Sequence, residues 1–148
     1  MKEVHLAVGV LSIALMAAVT VYGAWAWSHV RPRVWFWRLF RIAQAVVVLQ
    51  VALGGVLVLM GRKPGHLHVL YGVLPLLVSL IAEALRATSA QMVLDARGYE
   101  SAQAVGKRSP EEQQSVVYAI LRREFGLVAL AALVIVVLLL RAAQFHRS

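Results

Sequence analysis

The sequence contains no cysteine and few charged residues in its 148 positions. Without cysteine there can be no disulfide, thiolate metal site, cysteine-ligated iron–sulfur cluster or c-type haem attachment. Charged residues make up 15% of the chain, whereas about 25% is usual in soluble domains. Hydrophobic residues make up 61%, and the mean hydropathy is +0.75. Such a chain has too little polar surface to cover its core in water, so we expect an integral membrane protein surrounded by the lipid bilayer.

The sequence also lacks the motifs of soluble enzymes. It has no glycine-rich phosphate loop, no nucleophile elbow and no pair of carboxylates at the depth of a pocket. The net charge of +8 comes from 15 Lys and Arg against 7 Asp and Glu. In so apolar a chain this charge indicates cytoplasmic loops and anionic lipid headgroups, and we expect no nucleic acid partner.

Four runs without charge have the length of membrane spans, for which about 20 residues are needed, with a range near 17–25. They predict an all-α, four-helix transmembrane bundle that forms a single membrane domain over residues 1–148. The predicted spans cover residues 5–28, 41–61, 66–88 and 123–143.

Residues 89–122 predict a helical extension on the cytoplasmic side, which we call the stalk. Ser109, Pro110 and Glu112 form a helix start signal, with a capping hydroxyl, a proline in the first turn and an acid at the third position. No stop signal follows, which predicts one continuous helix from Pro110 to about residue 143.

The third helix is expected to leave the membrane and to end near Arg97, where Gly98 would form the C-cap. Residues 98–108 would then be a small, polar and mobile loop. Near the membrane, Glu83 and Arg86 have the spacing of an interfacial ion pair. Six apolar side chains are expected to pack the two extensions together: Leu85, Met92, Val116, Val117, Ile120 and Leu121.

Basic residues are distributed unevenly between the two sides of the predicted bundle. Ten fall in the first and third loops, and five fall in the two ends and the second loop. This imbalance predicts that the first and third loops face the cytoplasm and that both termini lie outside. We expect a prokaryotic-type plasma membrane. Four residues crowd the first loop as an aromatic belt would: Trp25, Trp27, Trp35 and Trp37.

Two histidines open predicted helices that run in the same direction. His5 begins the first helix and His68 the third, and each is followed by the same string, His-x-x-x-Gly-Val-Leu. The string puts Gly9 and Gly72 one turn deeper on the same helix face. A glycine leaves a flat slot below the imidazole, as a porphyrin ligated by two histidines from facing helices requires. Interfacial histidines are also common without a cofactor, so the pattern alone leaves that interpretation open.

The other three histidines are weaker candidates. His66 is the reserve ligand, but it lies about 200° round the helix from His68, so both cannot face one iron. We expect His29, in the first loop, and His146, in the tail, to be ordinary solvated histidines.

The stretch with Gln50 and Gly54, followed by Pro64 and His68, resembles a segment of the haem A synthase family. That family repeats Gln-x-x-Leu-Gly on one helix, a short outer loop often containing proline, and a ligand histidine that opens the next helix. The resemblance covers the first three predicted helices, and the whole chain would supply half of that eight-helix enzyme. It implies a haem-binding half-bundle with His5 and His68 as the metal ligands.

The chain departs from the family at the positions associated with catalysis. Family members carry a glutamate three residues before the first ligand, whereas Glu3 lies two residues before His5. Leu6 replaces the arginine that usually follows, and the cysteine pair of many members is absent. The resemblance therefore implies bound haem b for electron transfer or haem handling, rather than haem A synthesis.

Three polar or small residues near the histidines allow two interpretations each. Gln50 could bond a backbone carbonyl of a neighbouring helix or line a cofactor or quinone pocket. Gly54 suits close helix packing or a porphyrin edge. Arg62, with its neighbour Lys63, could pair haem propionates or be solvated.

Two functions from different classes remain compatible with the sequence. A haem protein would require a redox partner or an assembly that receives the haem. A cofactor-free membrane scaffold or assembly subunit would instead use the stalk to hold a partner or to form a homo-oligomer.

Overall fold

The computed structural model describes residues 1–145, and no strand occurs among them. His146 and the two residues after it lie outside the described residues. Four helices are long and apolar enough to cross a membrane, so the prediction of an all-α bundle of four membrane helices is confirmed. The helices are α1 (Lys2–Ser28), α2 (Val34–Leu59), α3 (His66–Ala87), α4 (Ser89–Ala96), α5 (Ala102–Gly106) and α6 (Pro110–Gln144).

Helix α6 lies at the centre of the bundle. It packs along both α1 and α3, and α1 also packs against α2. Helices α2 and α3 contact each other much less, so the bundle is more open between them. Large apolar side chains cover the outer surface, including Val21 at 71% exposed and Leu80 at 68%. A soluble protein rarely exposes such large contiguous apolar surfaces, so this outer surface suits lipid.

The bundle has two ends of different composition. The histidine end consists of the start of α1, the end of α2, the start of α3 and the end of α6. The arginine end consists of the opposite ends of these helices and continues into the stalk. The largest fully buried side chains, Phe36, Phe40 and Phe125, all lie towards the arginine end.

A polar network joins α2, α3 and α6 at the arginine end. Arg41 donates to both carboxylate oxygens of Glu83, at 2.9 and 3.3 Å. The predicted pair of Glu83 with Arg86 is confirmed, at 3.4 Å, and Arg86 also lies 3.8 Å from Glu124. The amide of Gln44 donates to Glu83 at 3.0 Å. These contacts link α2, α3 and α6 at the arginine end.

The continuous helix predicted from Pro110 is confirmed, since α6 runs without a break to Gln144. The Oγ of Ser109 accepts from the N–H of Glu112 at 3.3 Å, as the start signal predicts. A helix of 35 residues is about 50 Å long at 1.5 Å per residue. Because a bilayer core is about 30 Å thick, the first turns of α6 extend beyond it.

The prediction that the third helix runs unbroken to Arg97 is wrong. The helix is interrupted at Thr88, whose hydroxyl donates to the carbonyl of Leu85 at 3.0 Å. The hydroxyl of Ser89 donates to the same carbonyl at 3.1 Å. Such side-chain bonds compete with the backbone pattern of a helix. Gly98 ends a helix as predicted, with a φ of +75°, but that helix is the separate α4.

The segment predicted as a mobile loop contains the short helix α5. The hydroxyl of Ser101 caps it by accepting from the N–H of Ala104 at 3.3 Å. Val105 is buried against Leu94 and Val116, which form a small core of their own. Residues 98–108 are therefore a folded part of the stalk, because Val105 of α5 packs in this small core.

The predicted packing of the stalk is partly wrong. Val116 is buried and Ile120 packs against the same small core, as expected. Leu121 packs against the main core of the bundle instead. Three of the expected side chains remain exposed: Leu85, Met92 and Val117.

Candidate cofactor site

A cavity of about 1040 Å³ lies at the histidine end. All four long helices line it, and most of its surface is apolar. Its volume lies just above the range of roughly 300–1000 Å³ found for small-molecule pockets. Among residues 1–145, seven polar side chains line it: Lys2, His5, Gln50, Arg62, Lys63, His66 and His68.

His5 and His68 face each other across this cavity. Their ring centres are 6.2 Å apart, and the ring planes are inclined at 62°. Helices α1 and α3 pack on α6 rather than along each other, so the two imidazoles meet across a space that the backbones do not fill. The expectation that both histidines lie at one level of the bundle agrees with this geometry. His66, the reserve ligand, lines the same cavity from the first residue of α3.

The end of α6 fixes the orientation of His68. Its Nδ1 lies 2.9 Å from the carbonyl oxygen of Ala142. A carbonyl only accepts, so Nδ1 carries the proton and Nε2 carries the lone pair. Ala142 lies in the last turn of α6, where carbonyls have no N–H partner within the helix. A backbone carbonyl on one ring nitrogen is the usual arrangement that prepares the other nitrogen to bind a metal.

Gln50 holds His5 from the middle of α2. Its Nε2 lies 3.3 Å from Nε2 of His5. An amide nitrogen only donates, so the histidine nitrogen accepts and has its lone pair on that side. Of the two interpretations for Gln50, the bond to a backbone carbonyl is therefore wrong, and the residue lines the cavity. Its Oε1 is buried and has no hydrogen-bond partner within residues 1–145.

Three glycines shape the space around the imidazoles in different ways. At Gly54, a Cβ would lie 3.3 Å from Cε1 of His5, so this glycine allows the ring to approach α2. At Gly9, a Cβ would lie 2.8 Å from Nε2 of Gln50. The slot expected below His5 is therefore filled by the Gln50 amide. At Gly72, nothing lies within 4 Å of a Cβ, so the slot expected below His68 is open.

A tight turn after α2 brings basic side chains to the rim of the cavity. Gly61 has a φ of +86°, and its N–H donates to the carbonyl of Val58 at 3.0 Å. The N–H of Arg62 donates to the carbonyl of Leu57 at 3.1 Å. The two bonds form a Schellman motif, which glycine permits because it tolerates positive φ. Arg62 and the following Lys63 both line the cavity as a result.

Sequence reasoning missed two contributors to this site. Lys2 lines the cavity one turn before His5, and its position three residues ahead on the same helix was the available signal. The sequence gives no signal for the carbonyl of Ala142. Every residue has a backbone carbonyl, and only the packing of α6 against α3 brings this one to His68. Gln50 and Arg62 both line the cavity, and the pairing of Arg62 with a haem propionate stays a prediction.

The donors suit a porphyrin better than a bare metal ion. No group of three or more His, Cys, Asp or Glu that could hold an ion occurs in the part of the chain that the structure describes. A haem brings four nitrogen ligands of its own, so two histidines complete its iron. An open slot at Gly72, two facing imidazoles and a basic rim fit such a group.

No protein-family model, curated protein or solved structure matches this chain. The class of protein follows from the fold alone: it is an integral membrane protein built as a helical bundle.

Proposed function

We propose that this membrane protein binds one haem b between His5 and His68 and serves in electron transfer or haem handling. One observation carries the proposal: two imidazoles from different helices face each other at 6.2 Å inside a cavity. A histidine nitrogen lies about 2 Å from a metal that it ligates, so His5 and His68 are close enough that both would hold one haem. The resemblance to the haem A synthase family supports the same two ligands.

The surrounding residues would prepare the two ligands. The carbonyl of Ala142 holds the proton of His68 on Nδ1, which leaves the lone pair on Nε2. The amide of Gln50 selects the same tautomer of His5 by donating to Nε2. Gln50 has to release that nitrogen before His5 can ligate through it. A bound haem would accept and release single electrons.

The basic rim would hold the acidic edge of the cofactor. Haem b carries two propionates, and Lys2, Arg62 and Lys63 all line the cavity. None of these three has an ion-pair partner among residues 1–145. Charge-assisted bonds from such side chains to carboxylates are the strong class of hydrogen bond.

We also propose the orientation in which the histidine end faces outside and the stalk faces the cytoplasm. The excess of basic residues in the first and third loops supports it. In a prokaryotic-type plasma membrane, electrons would then pass between the site and a redox partner at the outer face or a quinone in the bilayer.

An absorption spectrum of protein purified in detergent, oxidised and reduced, tests the haem proposal. Wild-type protein made with ample haem should show the sharp bands of a six-coordinate, low-spin haem. His5→Ala and His68→Ala should each abolish that spectrum. His29→Ala should keep it, because His29 lies at the arginine end, where its Nδ1 lies 3.1 Å from the carbonyl oxygen of Trp25.

Added imidazole separates loss of a ligand from loss of the fold. In His68→Ala protein, free imidazole should enter the vacated space and restore the low-spin bands. Wild-type protein that stays colourless with ample haem would overturn the proposal and favour the cofactor-free scaffold. So would alanine variants that keep the wild-type spectrum.

A further inference from the structure

A second, shallow groove lies at the arginine end, along the face of α2 from which Trp37 and Arg41 contact α6 and α3. This groove has a volume of about 470 Å³ and is lined by Val34, Trp37, Arg38, Arg41 and Ile42. The five residues are spaced three or four apart or adjacent, so they form one face of the helix. The groove is far from the histidine end, and the proposed haem site uses none of its residues.

The two arginines of the groove differ in their partners. Arg41 donates to both oxygens of Glu83, which compensates its charge. The guanidinium of Arg38 lies over the ring of Trp35, 4.9 Å from its centre. Arg38 forms no ion pair with any residue from 1 to 145. The groove therefore presents a positive charge that an anion can compensate.

The remaining lining of the groove is apolar and exposed. Val34 is 64% exposed and Ile42 is 56% exposed. Ile42 follows Arg38 by four residues, which is about 6 Å along the helix axis. The charge-free run of α2 begins at Ile42, so the groove crosses the boundary between headgroups and hydrocarbon. An occupant has to be anionic at one end and a hydrocarbon at the other.

We propose that this groove binds an anionic phospholipid from the leaflet at the arginine end. Arg38 holds the phosphate, and Ile42 contacts the first part of an acyl chain. Trp37 lines the groove beside Arg38, at the depth where amphipathic rings favour the interface. Basic pockets on membrane helices are known to select acidic headgroups. The groove has the charge and the polarity gradient for this class of lipid.

Native mass spectrometry of the full chain in mild detergent tests the proposal. The probes are phosphatidylglycerol, phosphatidylcholine and soluble glycerol 3-phosphate. Phosphatidylglycerol should bind about tenfold more tightly than phosphatidylcholine, and glycerol 3-phosphate should not displace it. Arg38→Gln should weaken phosphatidylglycerol binding about fivefold, which is about 1 kcal/mol for one basic residue near the surface.

Arg31→Gln is the matched control, because it removes the same charge from an exposed side chain seven residues earlier, in the loop before α2, without touching the groove. It should leave the affinity within about twofold. Equal loss in both variants would indicate a diffuse basic surface and would overturn the proposal. Equal binding of the two lipids, or displacement by glycerol 3-phosphate, would overturn it as well. Both variants change exposed side chains, so folding does not confound the comparison.

Discussion

The helices pack against each other through different side chains at the two ends of the bundle. At the arginine end, Phe36, Phe40 and Phe125 are at most 1% exposed and fill the space between helices. The ring of Trp37 stacks on Phe125, and the guanidinium of Arg86 lies over Trp37 at 4.1 Å. At the histidine end, the side chains near the cavity include glycine and alanine instead: Gly9, Gly54, Gly55, Gly72, Ala142 and Ala143.

The two ends of the bundle therefore differ in packing: aromatic rings fill one end, and open space remains at the other. Protein interiors pack nearly as densely as organic crystals, and the arginine end follows that rule. The histidine end instead keeps a cavity of about 1040 Å³ beside two imidazoles. A cavity of this size, in a bundle that packs large rings at its other end, is a candidate ligand site. The predictions below test whether the two ends also differ in orientation, ligand occupancy and stability.

The largest effect concerns the sides of the membrane on which the two ends lie. The chain has no cysteine, so Lys63→Cys and Glu100→Cys each introduce a single thiol. An impermeant thiol reagent added to intact cells should modify position 63 and should reach position 100 only after lysis. The expected orientation follows from the excess of basic residues near the stalk. Labelling of position 100 in intact cells would reverse the assignment of the two ends.

The next prediction tests whether open space at the histidine end is needed for haem. Gly72→Leu should lower haem occupancy at least about tenfold, because the new side chain fills the slot below His68. The absorption spectrum measures occupancy, and circular dichroism should report an unchanged helical content. Gly106→Leu is the matched control, since it also has no atom within 4 Å of a Cβ but lies in the stalk. Full occupancy in Gly72→Leu would contradict a haem in that slot.

The sequence predicts which residues form helices better than it predicts which side chains meet between helices. Charge-free runs locate the four long helices, because a membrane span must be apolar over a set length. Ser109 and Gly98 are found because caps are local signals. The break at Thr88 escapes this reasoning, although adjacent Thr88 and Ser89 hydroxyls that bond back to Leu85 give a physical cause.

Contacts between helices are harder, because they depend on how each helix is rotated about its axis. A soluble helix reveals its rotation by a polar face, but these helices are apolar on the side that faces lipid as well. The bond of Gln50 to His5 and the pair of Arg41 with Glu83 join residues more than 40 positions apart. Only the local pair of Glu83 with Arg86 could be predicted from spacing.

A third prediction weakens the arginine end alone. Glu83→Gln should lower the free energy of unfolding by about 2 kcal/mol, because it removes the carboxylate partner of Arg41 and leaves Arg86 with Glu124 alone. Denaturant unfolding in detergent measures the change. Glu100→Gln is the control, since Glu100 is exposed and in no ion pair within the described chain, and its change should stay within about 0.5 kcal/mol.

The haem spectrum of Glu83→Gln should remain that of the wild type. The carboxylate contacts Arg41, Arg86 and Gln44 at the arginine end, and it lines no part of the cavity. Loss of the spectrum together with stability would show that the two ends fold as one cooperative unit, contrary to the separation inferred from packing.

The smallest expected effect concerns the start of α6. Ser109→Ala removes the hydroxyl that accepts from the N–H of Glu112, and loss of such a cap costs about 1 kcal/mol. Hydrogen exchange should become faster in the first turn of α6, with no change near Ala142 or in the haem spectrum. Ser28→Ala is the control, because its hydroxyl contacts the carbonyl of Trp25 and Nδ1 of His29 at the end of α1 and bonds no N–H of α6. Faster exchange along the whole of α6 would mean that the stalk and the histidine end open as one cooperative unit, since both contain part of this helix.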